Sequence, residues 1–118
     1  MVLKELKSYE KAVESYEKAL AIKPDLVEAW SNRGNALNEL KQYQEALSSF
    51  DRAIMLKPDL AEAHSNRGIA LFGLQRVTES IRSFDEAIAH NPKNAEPHSN
   101  KGLALQKMRR LEDALASY

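Results

Sequence analysis

Three histidines, His64, His90 and His98, are the side chains best suited to metal ligation or general acid–base work in this chain, and cysteine is absent. His64 and His98 occupy one repeated position, which Trp30 fills earlier in the chain, and this reads as a packing position. Equivalent positions of adjacent helical units stand about 10 Å apart, too far to share one ion. No glycine-rich phosphate loop and no nucleophile–base pairing is present. Paired acids such as Glu112 and Asp113 read as solvated helix surface. The chain is therefore expected not to be an enzyme and to use no metal and no cofactor. Asparagines carry more information. Asn32, Asn66 and Asn100 recur at one spacing, and each amide offers both a donor and an acceptor. A row of them can grip the backbone of an extended peptide whatever its sequence.

The spacing belongs to a repeat of 34 residues. Pro24, Pro58 and Pro92 share it, as do Ser31-Asn32-Arg33-Gly34, Ser65-Asn66-Arg67-Gly68 and Ser99-Asn100-Lys101-Gly102. A period of this length means one supersecondary unit copied along the chain, each copy burying its apolar face on its neighbours. Complete units span 27–60 and 61–94, with partial units at 1–26 and 95–118. In the first complete unit, Ala29, Trp30, Arg33, Ala36, Leu37 and Leu40 are spaced as on one helix face. Ala46, Leu47, Phe50, Ala53, Ile54 and Leu56 are spaced as on another. The polar Lys41-Gln42 between them is short enough to force an antiparallel pair.

Each proline ends one helix, and Asp25, Asp59 and Asn94 are expected to cap the next. Pro97 falls in a first helical turn, where its missing N–H is harmless. Gly34, Gly68 and Gly102 lie inside helices at a cost of roughly 1 kcal/mol each. Close helix approach explains them, with Ala46 and Ala53 as the expected small partners. Ser80 replaces Ala46 in the second unit, which is expected to be the less stable. The start lacks most of a first helix, and Tyr118 is expected to stop partway through a second. That reads as a segment of a longer array, or as an end that stacks on another chain.

These residues resemble the tetratricopeptide repeat (TPR) signature of Trp, Leu-Gly, Tyr, Ala, Phe, Ala and Pro. Trp30, Gly34, Leu37, Ala46, Phe50, Ala53 and Pro58 match it in one unit; Gly68, Leu71, Phe84, Ala87 and Pro92 match it in the next. The resemblance implies an all-α, right-handed superhelical solenoid of antiparallel helix pairs. Arg33, Arg67 and Lys101 depart from the family's leucine, and are expected to lay their methylenes on the core edge with the charge in water. Val77 stands where Tyr9 and Tyr43 carry an aromatic ring.

The resemblance also implies a concave face lined by the first helix of each unit. The positions are Glu28, Ser31, Asn32, Asn35 and Asn38; Glu62, Ser65, Asn66, Ile69 and Phe72; and Glu96, Ser99, Asn100, Leu103 and Gln106. Asn32, Asn66 and Asn100 are similar to the asparagine ladder in the TPR region of O-linked N-acetylglucosamine transferases. Ile69, Phe72 and Leu103 are expected to form an apolar patch beside it, opposite the polar Asn35 and Asn38. Glu28, Glu62 and Glu96 are expected at the groove edge, where the helix dipole also favours acids. Family members that hold acidic heat-shock tails use a clamp of Lys, Asn, Asn, Lys and Arg. Here those positions hold Ser31, Asn35, Asn66, Glu96 and Asn100, so acidic tails are not the expected ligand.

Of the 118 residues, 17 are basic and 17 acidic, which gives no global field to draw in nucleic acid or a membrane surface. A cytoplasmic location is expected. The resulting expectation is a non-catalytic interaction module that binds a protein or peptide partner. The alternatives are a substrate-recruiting segment of a larger enzyme such as a glycosyltransferase, or a scaffold that self-associates through its incomplete terminal repeats.

Overall fold

In the computed structural model, residues 2–116 are described, and they form six helices in chain order. These are α1 (Leu3–Ile22), α2 (Val27–Glu39), α3 (Tyr43–Leu56), α4 (Ala61–Gly73), α5 (Val77–His90) and α6 (Ala95–Ala116). Each helix packs on the next, and in addition α2 touches α4 and α4 touches α6. The first helices of successive units are thus crowded along one side. Among the described residues, α1, α3 and α5 make no comparable contact with one another. That asymmetry curves the array, with α2, α4 and α6 on the inner side. The result is an all-α helical solenoid measuring 52 × 34 × 23 Å.

The core repeats as the sequence does. Phe50 and Leu37 are fully buried in one unit, and Phe84 and Leu71 in the next. The interior glycines do allow close approach, but the partner is an aromatic ring rather than the alanines. A Cβ on Gly34 would lie 2.6 Å from Phe50, and one on Gly68 would lie 2.5 Å from Phe84. Among the described residues, nothing lies within 4 Å of that point at Gly102.

The turns repeat as well. Lys41 and Gln75 sit in the left-handed region with φ of 60° and 65°. Gln42 N–H donates to the Leu37 carbonyl and Arg76 N–H to the Leu71 carbonyl, both at 2.9 Å. This closes a Schellman turn without the usual glycine, and the left-handed residue costs about 1–2 kcal/mol. Burial of Phe50 or Phe84 in the returning helix offsets that cost.

Three expectations need correction. First, α6 does not turn partway: it runs unbroken through Arg109, the register of Lys41 and Gln75. Its described part reaches only the register of Arg82; Tyr118, in the register of Phe50 and Phe84, lies outside the described residues. Likewise α1 is one helix through Lys7, the same register. Second, Asp25 and Asp59 do not cap: Leu26 and Leu60 hold the cap positions of α2 and α4 with no side-chain bond. Only Asn94 acts as expected, accepting from Glu96 N–H at 3.2 Å. Third, Arg33 and Arg67 are not simply wet. Arg33 donates to Ser49, and Arg67 donates to Ser83 at 2.7 Å and to Asp51 at 2.6 Å. Lys101 reaches Asp85 at 2.7 Å. These cations tie each first helix to the second helix of its own unit or of the preceding one. Ser80 is fully buried, but its hydroxyl donates to the Val77 carbonyl at 2.8 Å, so burying it leaves no unmet donor.

Candidate binding groove

Four hollows follow one another along the inner side and share residues, so they form one groove. The first, ≈ 340 Å³, is lined by Tyr9, Ala12, Tyr16, Asn32, Asn35, Ala36 and Glu39. Asn35 and Glu39 continue into the second, ≈ 380 Å³, with Asn38, Tyr43, Glu62, Asn66, Ile69 and Glu96. Ile69 passes into a third of ≈ 120 Å³, completed by Phe72, Phe84, Asn100 and Leu103. Phe72 and Leu103 then border a wider one of ≈ 530 Å³ with Gln106, Lys107, Arg110 and Leu111.

The expected apolar patch is therefore assembled: Ile69, Phe72 and Leu103 line one hollow, with the buried Phe84 ring as its floor. Lys107 Nζ lies 4.9 Å from the centre of the Phe72 ring, a cation–π contact that puts positive charge at this end. The polar half is bonded internally. Asn66 Nδ2 donates to Asn35 Oδ1 at 2.7 Å, and Asn38 Nδ2 donates to the Asn66 carbonyl at 3.1 Å. Asn38 Oδ1 is buried with no partner among the described residues, at a cost of about 1–3 kcal/mol.

The asparagine row is thus not uniform. Asn32 is exposed, Asn100 is half-buried in the apolar hollow, and Asn66 is engaged with α2. Glu62 and Glu96 meet in the second hollow beside Glu39, whereas Glu28 is exposed in the first turn of α2 and lines none of the four. Ser31 and Ser65 are buried in the helix stack and do not face the groove, while Ser99 is exposed. Sequence reasoning missed Tyr9, Tyr16 and Glu39 at one end and Lys107 and Arg110 at the other. Arg110 belongs to the part of α6 that was expected to turn away, whereas Lys107 shares the register of Glu39.

The position shared by Trp30, His64 and His98 has one role. Trp30 Nε1 donates to the Pro24 carbonyl at 2.8 Å, His64 Nε2 lies 2.8 Å from the Pro58 carbonyl, and His98 Nε2 lies 3.1 Å from that of Pro92. A ring N–H thus fastens each first helix to the proline turn before it.

Family models described as TPR repeat and tetratricopeptide repeat match residues 2–40 and 34–75, residues 61–94, and residues 83–116. The chain belongs to the tetratricopeptide repeat family. No curated protein matches this TPR chain in sequence. Among solved structures, the first TPR of Spaghetti (RPAP3) bound to the HSP90 peptide SRMEEVD is similar with a TM-score of 0.85 at 26% identity, over 87% of this chain and 82% of that one. The second TPR domain of human RPAP3, in complex with the HSP70 peptide SGPTIEEVD, has a TM-score of 0.79 at 25% identity, over 81% and 80%. The Arabidopsis OM64 TPR domain has a TM-score of 0.81 at 26% identity, over 83% and 81%. Among the described residues, no helix is long and apolar enough to cross a membrane.

Proposed function

We propose that this TPR array is a non-catalytic, cytoplasmic interaction module whose groove takes an extended peptide. The observation that carries the reading is the continuous groove, polar and acidic at Asn35, Glu39, Glu62, Asn66 and Glu96 and apolar at Ile69, Phe72 and Leu103. Preorganised helices spare the protein side its ordering cost. The apolar hollow is the anchor, and Asn32 and Asn100 supply backbone contacts. Similar TPR structures hold acidic peptides, but here Glu39, Glu62 and Glu96 face the middle of the groove. Charge complementarity therefore favours a peptide with basic residues beside its apolar anchor.

The test is fluorescence anisotropy with labelled peptides of both kinds. The apolar–basic peptide should bind, and SRMEEVD should bind at least about tenfold more weakly, a difference of ~1.4 kcal/mol. Ile69→Asn with Phe72→Asn, which copies Asn35 and Asn38 into the second unit, should abolish binding while the helical signal stays. Binding unchanged by this swap would sink the groove reading.

One observation favours a second reading, self-association. Among the described residues nothing fills the slot over Gly102, and Tyr16 holds in α1 the register that Phe50 and Phe84 hold in α3 and α5. A second copy stacked head to tail would bring that ring to the slot. Light scattering across a wide concentration range decides it: growth in mass that Tyr16→Ala removes supports stacking, and a constant monomer mass excludes it.

A further inference from the structure

A second cluster of chemistry-bearing side chains lies outside the groove. His64 at the start of α4, with Glu86 and His90 in the last turns of α5, place one ligand atom each within 4.8 Å of one another. None of the three lines any of the four groove hollows. The His64 and His90 rings are stacked with centroids 5.4 Å apart and planes at 20°. Glu86 Oε2 is 3.7 Å from His90 Nε2, one helical turn away.

We propose that His64, Glu86 and His90 bind one divalent transition-metal ion such as Zn²⁺ or Ni²⁺. Two imidazoles and a carboxylate are a donor set that such ions accept, leaving a position for water. The bond from His64 Nε2 to the Pro58 carbonyl at 2.8 Å requires the proton on Nε2. Nδ1 then keeps its lone pair, and a backbone carbonyl fixes the ring, as outer-shell partners do for ligating histidines. His64 is buried and held; Glu86 and His90 are exposed. Those two exposed side chains would have to rotate to bring the donors to the roughly 2.0–2.2 Å that the ion requires.

The first complete unit shows what occupies the same place without ligands. There the three positions are Trp30, Arg52 and Leu56, and the Arg52 guanidinium sits 5.4 Å from the Trp30 ring centre. The second unit replaces that cation with an acid and the two flanking residues with imidazoles, which turns a cation-bearing place into a set of three metal donors. The neighbouring charged groups are Asp51, Arg67 and Arg82, which line an adjoining hollow with His64 and Glu86. Arg67 is already paired with Asp51 at 2.6 Å, which leaves Arg82 as the main opposing charge. A bound ion would tie α4 to α5 across one unit.

Calorimetric titration of the whole chain with Zn²⁺ and with Ni²⁺ tests the site, alongside the thermal midpoint with and without metal. One ion per chain should bind, and the midpoint should rise. His90→Leu, which copies Leu56, should weaken binding by at least the roughly 10–100-fold that loss of an outer-shell partner costs a metal site. His98→Gln should change nothing. His64→Trp keeps the ring N–H to Pro58 and should also lose the metal. Absence of binding in the wild type, binding that survives His90→Leu, or binding that follows His98 would each overturn the site.

Discussion

Units 27–60 and 61–94 are two versions of one backbone. Gly34 lies under Phe50 as Gly68 lies under Phe84, and Arg33 holds Ser49 as Arg67 holds Ser83. Lys41 and Gln75 make the same left-handed turn. Every one of these shared features lies between helices. A few differences are buried, Ala46 against Ser80 among them, but those that change what a ligand would meet lie on two surfaces. In the groove, Asn35 and Asn38 become Ile69 and Phe72; at the edge, Trp30, Arg52 and Leu56 become His64, Glu86 and His90. The fold therefore resides in the buried register, and what each unit can bind resides in the positions that register leaves free.

The largest break in that comparison comes from the glycines. Gly34→Ala and Gly68→Ala should each destabilise by about 1–3 kcal/mol, the range for overpacking. The Cβ would meet a ring that is itself fully buried, at 2.6 or 2.5 Å, and cannot move aside. Gly102→Ala should have the opposite sign, because its Cβ meets nothing within 4 Å among the described residues and alanine gains about 1 kcal/mol of helix propensity. Thermal or urea unfolding of the three variants checks this. Three results of one sign would mean that the ring contacts are not what the glycines serve.

The same comparison explains what was legible in the sequence. Helix pairs followed from residues that recur at 34, because recurrence reports buried register, and the apolar hollow from positions that the family resemblance put on the concave face. The cation network was equally legible, since Ser49 and Ser83, and Asp51 and Asp85, recur with the arginines and were simply not read against them. The unbroken α6 was not legible. Its turn depends on whether a following helix returns to bury a ring, which is a property of packing and not of Arg109. His90 was missed for a related reason: it has no counterpart histidine in the first unit. Only the packing of α4 on α5 brings it to His64.

The smallest expected effect sharpens the comparison at the start of α5. Arg76 Nε donates to Glu79 Oε1 at 2.9 Å and Nη2 to Oε2 at 2.7 Å. In the first unit the same positions hold Gln42 and Glu45, which cannot form such an ion pair. The hydrogen bonds from Arg76, more than its charge, hold the Glu79 carboxyl below its ordinary pKa, and Arg67 and Arg82 add smaller pulls in the same direction. A carboxyl whose pKa is lowered by folding stabilises the folded chain above its unfolded pKa, and that contribution is lost as pH falls through the folded value. Glu79→Gln should therefore lower the thermal midpoint slightly at neutral pH and not at all in acid, once the wild-type Glu79 carboxyl is protonated. Exposed pairs are screened by water and salt, so the neutral deficit should also shrink in high salt. Gln42→Arg is the reciprocal change. It should install the same fork on Glu45 and raise the midpoint by a similarly small, salt-sensitive amount; a rise that survives high salt would assign the gain to packing instead of charge.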